Sequence, residues 1–575
     1  MPMNKRRQSA FIIFSIIIIF FGIFLAFPLL QLVMQAVTTS EGVSFALFRE
    51  MLTSEQLRRA FMGSFTISIK ASVIATLIGF IVAYAINFTN IPKKYKKFLE
   101  VTISLPMLSP TIVYGFVLIY AFGRQGFLTR LLGFQLFEIY STTGLLIGFL
   151  IYTVPTAFLL INNSMKYIDC QFFTVSELMG DGAVKKFINT IFMPLLTVLG
   201  ISVVQTFFLS FTDFGLPASI AGNRPLMSSL LFNQMIGAVP DFTRGAVIAI
   251  TMLLPAILSA SVMLYLRRFD VKYDKISTVN LKKNPLRDTI FAILTAIPAM
   301  MVILTFSSLF FVPFVESYPF NMSFTLRHFT STLTDSNILR VYQNSVIMSL
   351  LTGIFGVVLA FGAALLVRRS PLKKRWANVI EALSQITNAI PGMVLGVSFL
   401  FAFSGTGLSN TLAILVISNV VYFFATPFAM ATQALEKLSS HYEKTATLLG
   451  DNYFQTLIRV ILPNCKKTLM EIFSYLFIHS MVTISALIFL VGVRTATVTT
   501  QVSALQHFNR FNEIFVLALL LLATNLTVKS IMSLIVKDYR WFRAAKRGDV
   551  VVRKTGVNKP KLRKTGASKH KLRKV

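Results

Sequence analysis

Stretches of about 20 mostly apolar residues recur along the whole of this 575-residue chain. A helix of that length crosses the roughly 30 Å hydrocarbon core of a bilayer. Inside that core every backbone N–H and C=O has to be bonded within the protein, so such runs fold as helices. Twelve runs are readable, at 10–36, 62–88, 99–122, 142–163, 191–220 and 245–267, then 289–315, 341–367, 378–403, 410–432, 468–493 and 514–536. Charged residues make up 14% of the chain, where a soluble domain carries roughly a quarter. The first run follows a basic start, "MPMNKRRQSA". It is too long for a signal-peptide core and lacks a small-x-small cleavage pattern, so it reads as a retained helix.

The formal charge of +32 would suggest nucleic acid in a soluble protein. Here Lys and Arg crowd into short connections such as "NKRR", "PKKYKK", "RRFDVKYDK" and "RRSPLKKRW", all on one side of the expected membrane. Cytoplasmic loops carry this bias, which places both termini in the cytoplasm. The tail "VVRKTGVNKPKLRKTGASKHKLRKV" is a basic near-repeat suited to anionic lipid headgroups. No specific nucleic acid is expected. Cys170 and Cys465 are the only cysteines and supply neither a disulfide framework nor a metal-ligand cluster.

The chain repeats itself. "PTIVYGFVLIYAFGRQG" (110–126) aligns with "PGMVLGVSFLFAFSGTG" (391–407) at a shift of 281, and Glu100 and Glu381 keep that shift. The expected fold is an all-α polytopic membrane protein of about 12 transmembrane helices in two parallel six-helix repeats. The divisions read as a first unit at 1–267, a cytoplasmic linker at 268–288, a second unit at 289–536 and a basic cytoplasmic tail at 537–575. Matched prolines, Pro110 with Pro391 and Pro155 with Pro427, suggest broken helices lining a path.

Between the fourth and fifth runs of each half lies a polar insertion. The second half has "EKTATLLGDNYFQTLIRVILP" (443–463) and the first "TVSELMGDGAVKKFINTIFMP" (174–194). Each offers a short amphipathic stretch, a glycine that permits a turn, and a proline suited to starting the next helix. Such a segment is too small to bury itself in lipid but can dock in a partner's groove. The residues proposed for this role are Glu177, Gly180 and Pro194 in the first copy, and Glu443, Lys444, Ala446, Gly450 and Pro463 in the second.

The pattern resembles the EAA loop of binding-protein-dependent ABC importer permeases: E-A-A, three residues, G, nine residues, I-x-L-P. The second copy reads Lys444-Thr445-Ala446, Gly450, then Val460-Ile461-Leu462-Pro463. The first reads Thr174-Val175-Ser176, Gly180, then Ile191-Phe192-Met193-Pro194, one residue longer. The leading acid is missing from both; Glu443 stands one place early and Glu177 later. Two complete six-span units fused in one chain are typical of permeases for ferric iron, 2-aminoethylphosphonate and thiamine. "TDFGLPASIAGN" and "SMVTISALIFL" look most like the first two groups. The resemblance implies a small solute delivered by an extracytoplasmic substrate-binding protein, two cytoplasmic ATP-binding cassette subunits holding ATP and magnesium, and location in the bacterial inner membrane.

The chain itself has no G-x-x-x-x-G-K-[ST] loop, no Ser/His/Asp arrangement and no metal-ligand spacing. It is expected to be a pore rather than an enzyme, binding no cofactor or metal of its own. Ionisable groups inside spans are costly and so are candidates for the path: Asp213 and His479, with Thr483 at the repeat-equivalent of Asp213. A path role and a helix-packing role stand level for Asp213 and His479. Lys70 is expected at mid-membrane, and Glu100 and Glu381 beside the basic loops. The rival reading is an ion-coupled secondary transporter with six plus six helices.

Overall fold

The computed structural model describes residues 3–39, 42–168, 171–269, 283–369 and 373–546. Most of the expected linker, the tail beyond 546 and Cys170 lie outside them. Among the described residues nine helices are long and apolar enough to cross a membrane, or eleven if each of two bent pairs is one span. The protein is an all-α polytopic membrane protein, with two short hairpins, Thr38–Thr39 with Gly42–Val43 and Val315–Ser317 with Asn321–Phe324.

The count falls short of twelve runs for physical reasons. The 99–122 run breaks at Pro106 and Pro110, giving Lys93–Ser104, a 3-10 turn at Leu105–Leu108, and Thr111–Phe122. Its counterpart splits into Lys374–Ala389 and Gly392–Phe403, bent by 104° around Pro391. Proline cannot donate to the preceding turn and disfavours helix at the residue before it. The 410–432 run bends by 54° between Leu412–Tyr422 and Ala425–Lys437, whereas Pro155 stays inside the unbroken Thr142–Met165 helix. Pro155 and Pro427, paired on sequence, therefore differ: by the 270-residue shift that relates Tyr152 to Tyr422, Pro155 matches Ala425, and only the second helix bends. Leu462–Val482, charged over its first half by Lys466, Lys467 and Glu471, is the run not among the nine or the eleven. Cys465 is buried within that helix, not in a loop.

The internal repeat is visible element by element. Glu55–Phe88 and Ser336–Arg369 are both 34 residues long, and both boundaries are displaced by the same 281 positions. Each is the spine of its half. Glu55–Phe88 packs on Thr142–Met165 and Met193–Thr212; Ser336–Arg369 packs on Ala425–Lys437 and Leu462–Val482. Small residues allow the approach, as lipid supplies no hydrophobic drive for helices to associate. A Cβ on Gly79 would stand 2.8 Å from the backbone nitrogen of Phe158, and one on Gly353 2.6 Å from the Phe473 ring. Buried polar pairs add to the contact: Asn87 Nδ2 donates to Asn162 Oδ1 at 2.7 Å, and Asn419 Nδ2 to Ser480 Oγ at 2.7 Å.

The first helix of each half packs on the other half. Phe27–Val37 lies along Gly392–Phe403, and Pro285–Phe311 along Thr111–Phe122. Asn90 N donates to Asp288 Oδ1 at 3.1 Å and Tyr95 Oη to the Ala292 carbonyl at 3.0 Å, fixing the start of the second-half helix to the first half.

Candidate functional site: a central cavity and two loops

Met193–Thr212 has 20 residues, about 30 Å of helix, so it carries the chain from the loop end of the bundle to the far end of the membrane. It stops at Asp213 (φ −69°, ψ 139°), and Leu462–Val482 stops at Thr483 (φ −71°, ψ 140°). Those two positions are equivalent in the repeat, and both border a cavity of about 220 Å³. The cavity is built from matched pairs across the two halves: Met107 with Asn388, Tyr152 with Tyr422, Thr156 with Thr426, Gln205 with Tyr475, Leu209 with His479, and Asp213 with Thr483. All three residues expected on the path from sequence, Asp213, His479 and Thr483, thus line one space. Lys70 does not; it is exposed on the outer surface of Glu55–Phe88.

The lining mixes polar and apolar side chains. Asp213 is its only charged side chain among the described residues, and no Lys or Arg contributes. Both carboxylate oxygens are engaged: Thr111 Oγ1 donates to Oδ1 at 2.8 Å and Leu216 N to Oδ2 at 2.9 Å. Asp213 therefore shapes the break as well as facing the cavity. Tyr114 Oη donates to the Pro106 carbonyl, and Tyr475 is hydrogen-bonded to Thr426. The His479 ring lies against Tyr475 (centroids 4.1 Å apart) and Phe423 (5.6 Å). Tyr152 sits within electrostatic reach of Asp213, Tyr114, Tyr422 and Tyr475. The tyrosines and Gln205 escape a search for ionisable groups in spans. The 270-residue shift that relates Asp213 to Thr483, followed along the same helix face, reaches only Gln205 and Tyr475; Tyr114, Tyr152 and Tyr422 lie on other helices.

The two insertions are also built alike. Gln171–Leu178 is followed by Gly180 at φ +71°, and His441–Leu448 by Gly450 at φ +89°. In each, the next residue donates back five positions: Asp181 N to the Ser176 carbonyl at 3.1 Å and Asp451 N to the Ala446 carbonyl at 3.0 Å. That is a Schellman ending, which takes a left-handed residue and hence glycine. Asp181 is held by Lys185 (2.8 Å) and Ser176 (2.9 Å), and Asp451 by Arg459 (2.8 Å). The Lys185 hydrogen bond, then that of Ser176, draws the Asp181 carboxyl below its ordinary range.

Pro194 and Pro463 stand second in Met193–Thr212 and Leu462–Val482, at the helix starts expected for them. Each follows a π turn, Ile188–Phe192 or Leu457–Ile461. The wider turn tolerates the missing proline donor. Leu178 and Met179 (83% and 73% exposed) and Leu448 and Leu449 (87% and 81%) form equivalent apolar projections. Ala446 is buried and Lys444 exposed. Glu177 pairs with Lys186 at 3.1 Å. Glu443 faces inward, its Oε1 3.0 Å from Arg369 Nη1 at the end of Ser336–Arg369. In the first half the equivalent positions are Phe88 and Phe173, whose rings pack 5.7 Å apart.

Residues 356–541 match the family of binding-protein-dependent transport system inner membrane components. Over 84% of its length the chain is 24% identical to a Haemophilus influenzae protein named as a ferric transport system permease, covering 77% of that protein. A ferric transport system permease of Actinobacillus pleuropneumoniae is 23% identical over 85% of this chain and 72% of its own. A Helicosporidium protein named as a sulfate transport system permease is 28% identical over 40% of this chain and 84% of its own length. The family match over residues 356–541, the similarity to ferric transport permeases over more than four fifths of the chain and the element-by-element repeat agree: the chain is a binding-protein-dependent ABC importer permease, in the form that fuses two permease units.

Proposed function

We propose that the protein moves ferric iron, as the ion or a small complex of it, into the cell through the cavity between its two units. The observation that carries the choice of cargo is the lining. Its sole charge is the Asp213 carboxylate, with no Lys or Arg opposite. An oxyanion such as sulfate would meet an uncompensated negative charge there, and unpaired charge in a low-dielectric space costs several kcal/mol. A cation or a hydroxyl-rich complex meets oxygen acceptors instead. The relatives named for ferric transport match across both units, and the sulfate relative across one.

ATP hydrolysis belongs to partner subunits, one docked on each loop. Leu178 and Met179, and Leu448 and Leu449, would enter grooves on those partners, and closure of the partners would rock the two units about the cavity. A binding protein would deliver the solute at the opposite, extracytoplasmic end, and both termini would lie in the cytoplasm. The test is reconstitution of the chain in liposomes with its ATPase and binding protein. Uptake of radiolabelled ferric iron should require both partners and ATP. Uptake that proceeds without ATPase and follows an ion gradient refutes the importer mechanism; ATP-driven uptake of sulfate but not iron refutes the cargo.

A further inference from the structure

The cavity breaks the symmetry of the repeat at the positions that matter for its chemistry. Leu209, Met107 and Thr483 are the neutral or apolar members of three matched pairs, and His479, Asn388 and Asp213 are their polar partners. Most lining hydrogen-bond groups are already used by the protein: Asp213 by Thr111 and Leu216, Tyr114 by Pro106, Tyr475 by Thr426 and Tyr422 by the Gly392 amide. Tyr152, Gln205, Asn388 and His479 line the same cavity and no described residue takes their side-chain polar groups. All four are half-buried, with surface open to the cavity, so these four are the ones free to meet cargo.

We propose that Tyr152, Gln205, Asn388 and His479 form a cation waypoint that holds the cargo by its own water or hydroxide ligands, with the Asp213 carboxylate supplying the field. The site rests on the ferric reading above. Water bound to a small trivalent ion is a strong hydrogen-bond donor. A phenol oxygen, two amide oxygens and the unprotonated nitrogen of an imidazole are acceptors for it. Among the described residues no three of His, Cys, Asp and Glu converge as a metal cage. A cage would in any case hold the ion too tightly, because a site on a transport path has to bind well enough to load and weakly enough to release. His479 and Leu209 hold equivalent positions in the two halves: one presents an acceptor to the cavity and the other is blank.

The test uses the complete complex in proteoliposomes and reads ferric ions moved per ATP hydrolysed. Leu209→Arg places a fixed cation beside the waypoint and should lower that ratio at least about tenfold, the effect of one lost charge-assisted contact. Tyr152→Phe and His479→Leu should each lower it by about the same factor, and His479→Gln, which keeps an acceptor, should recover most of the loss. Should Leu209→Arg fail to assemble, the Tyr152 and His479 variants decide alone. An unchanged ratio in Tyr152→Phe and His479→Leu overturns the waypoint, as does a His479→Gln variant as impaired as His479→Leu. Failure of the unmodified complex to move iron refutes the ferric reading instead, so the two failures are told apart.

Discussion

Arg369→Leu is the substitution that most sharply separates the two docking loops. Arg369 ends the Ser336–Arg369 spine and reaches three groups at once: Glu443 Oε1 at 3.0 Å, the Leu435 carbonyl at 2.5 Å and the Leu438 carbonyl. The two carbonyls belong to the end of Ala425–Lys437, where a cation also complements the helix dipole. The side chains of Arg369 and Glu443 are 10% and 14% exposed. Removing one partner of a fully buried pair costs about 3–5 kcal/mol. The residual solvent contact here brings the expected cost to about 2–3 kcal/mol, or roughly 30–150-fold in a local opening equilibrium. The equivalent contact in the first half is Phe88 on Phe173, and Phe88→Leu should cost about 1 kcal/mol, near fivefold. Hydrogen exchange of the two loop helices, in detergent-solubilised complex, reads both numbers. Exchange at 441–448 should rise by the larger factor in Arg369→Leu, and at 171–178 by the smaller in Phe88→Leu. Equal responses of the two loops, or no response of 441–448 to Arg369→Leu, would refute the claim that the second loop is latched by charge and the first by aromatic packing.

Gly450→Val should weaken ATPase retention on size-exclusion chromatography. Nothing lies within 4 Å of the added Cβ, so the cost is the left-handed backbone, about 1–2 kcal/mol, and Gly450→Asn should recover much of it. Loop one should also lose order in acid. The Asp181 carboxyl is drawn below its unfolded value, so its contribution is full above the ordinary carboxylate range and fades as pH falls through the lowered folded value. Exchange at 171–178 measured down a pH series should show that loss, and Asp181→Asn should abolish the pH dependence. Gly115→Ala and Gly396→Ala should each destabilise by about 1–3 kcal/mol. Their added Cβ atoms would fall 2.0 Å from Ser219 Oγ and 2.7 Å from the Ala486 carbonyl; lower thermal unfolding temperatures of the purified protein would show it.

Gly115 and Gly396 also show how the sequence can be read. Their match at a shift of 281 marks the repeat, but only the structure gives the reason: each lets a segment beyond the Asp213 or Thr483 break cross a transmembrane helix closely. Apolar runs and the repeated insertion are local patterns, so the membrane class, the internal repeat and the two insertions were legible. The break at Ile390 is written in Pro391, the one at Phe423 has no proline at it, and pairing Pro155 with Pro427 did not foretell that only the second helix bends. Asp213, His479 and Thr483 were found because ionisable or repeat-matched positions stand out in an apolar run. Tyr152, Gln205 and Asn388 did not, because nothing in one strand of text distinguishes a polar residue facing a cavity from one facing a neighbour. Glu443 carried the opposite lesson: an acid near the family's docking position turned inward to Arg369.

The exchange of first helices between the halves has a consequence for biosynthesis. Thr111–Phe122 finds its partner only when Pro285–Phe311 has been made, about 160 residues later. At roughly 5–20 residues per second, that is on the order of 10–30 s of translation. For that interval the first unit sits in the bilayer with one flank uncovered, and Phe27–Val37 waits longer still for Gly392–Phe403. Neither unit completes its packing alone, so the ribosome has to deliver both before either is finished, and joining them in one chain guarantees that the second arrives beside the first.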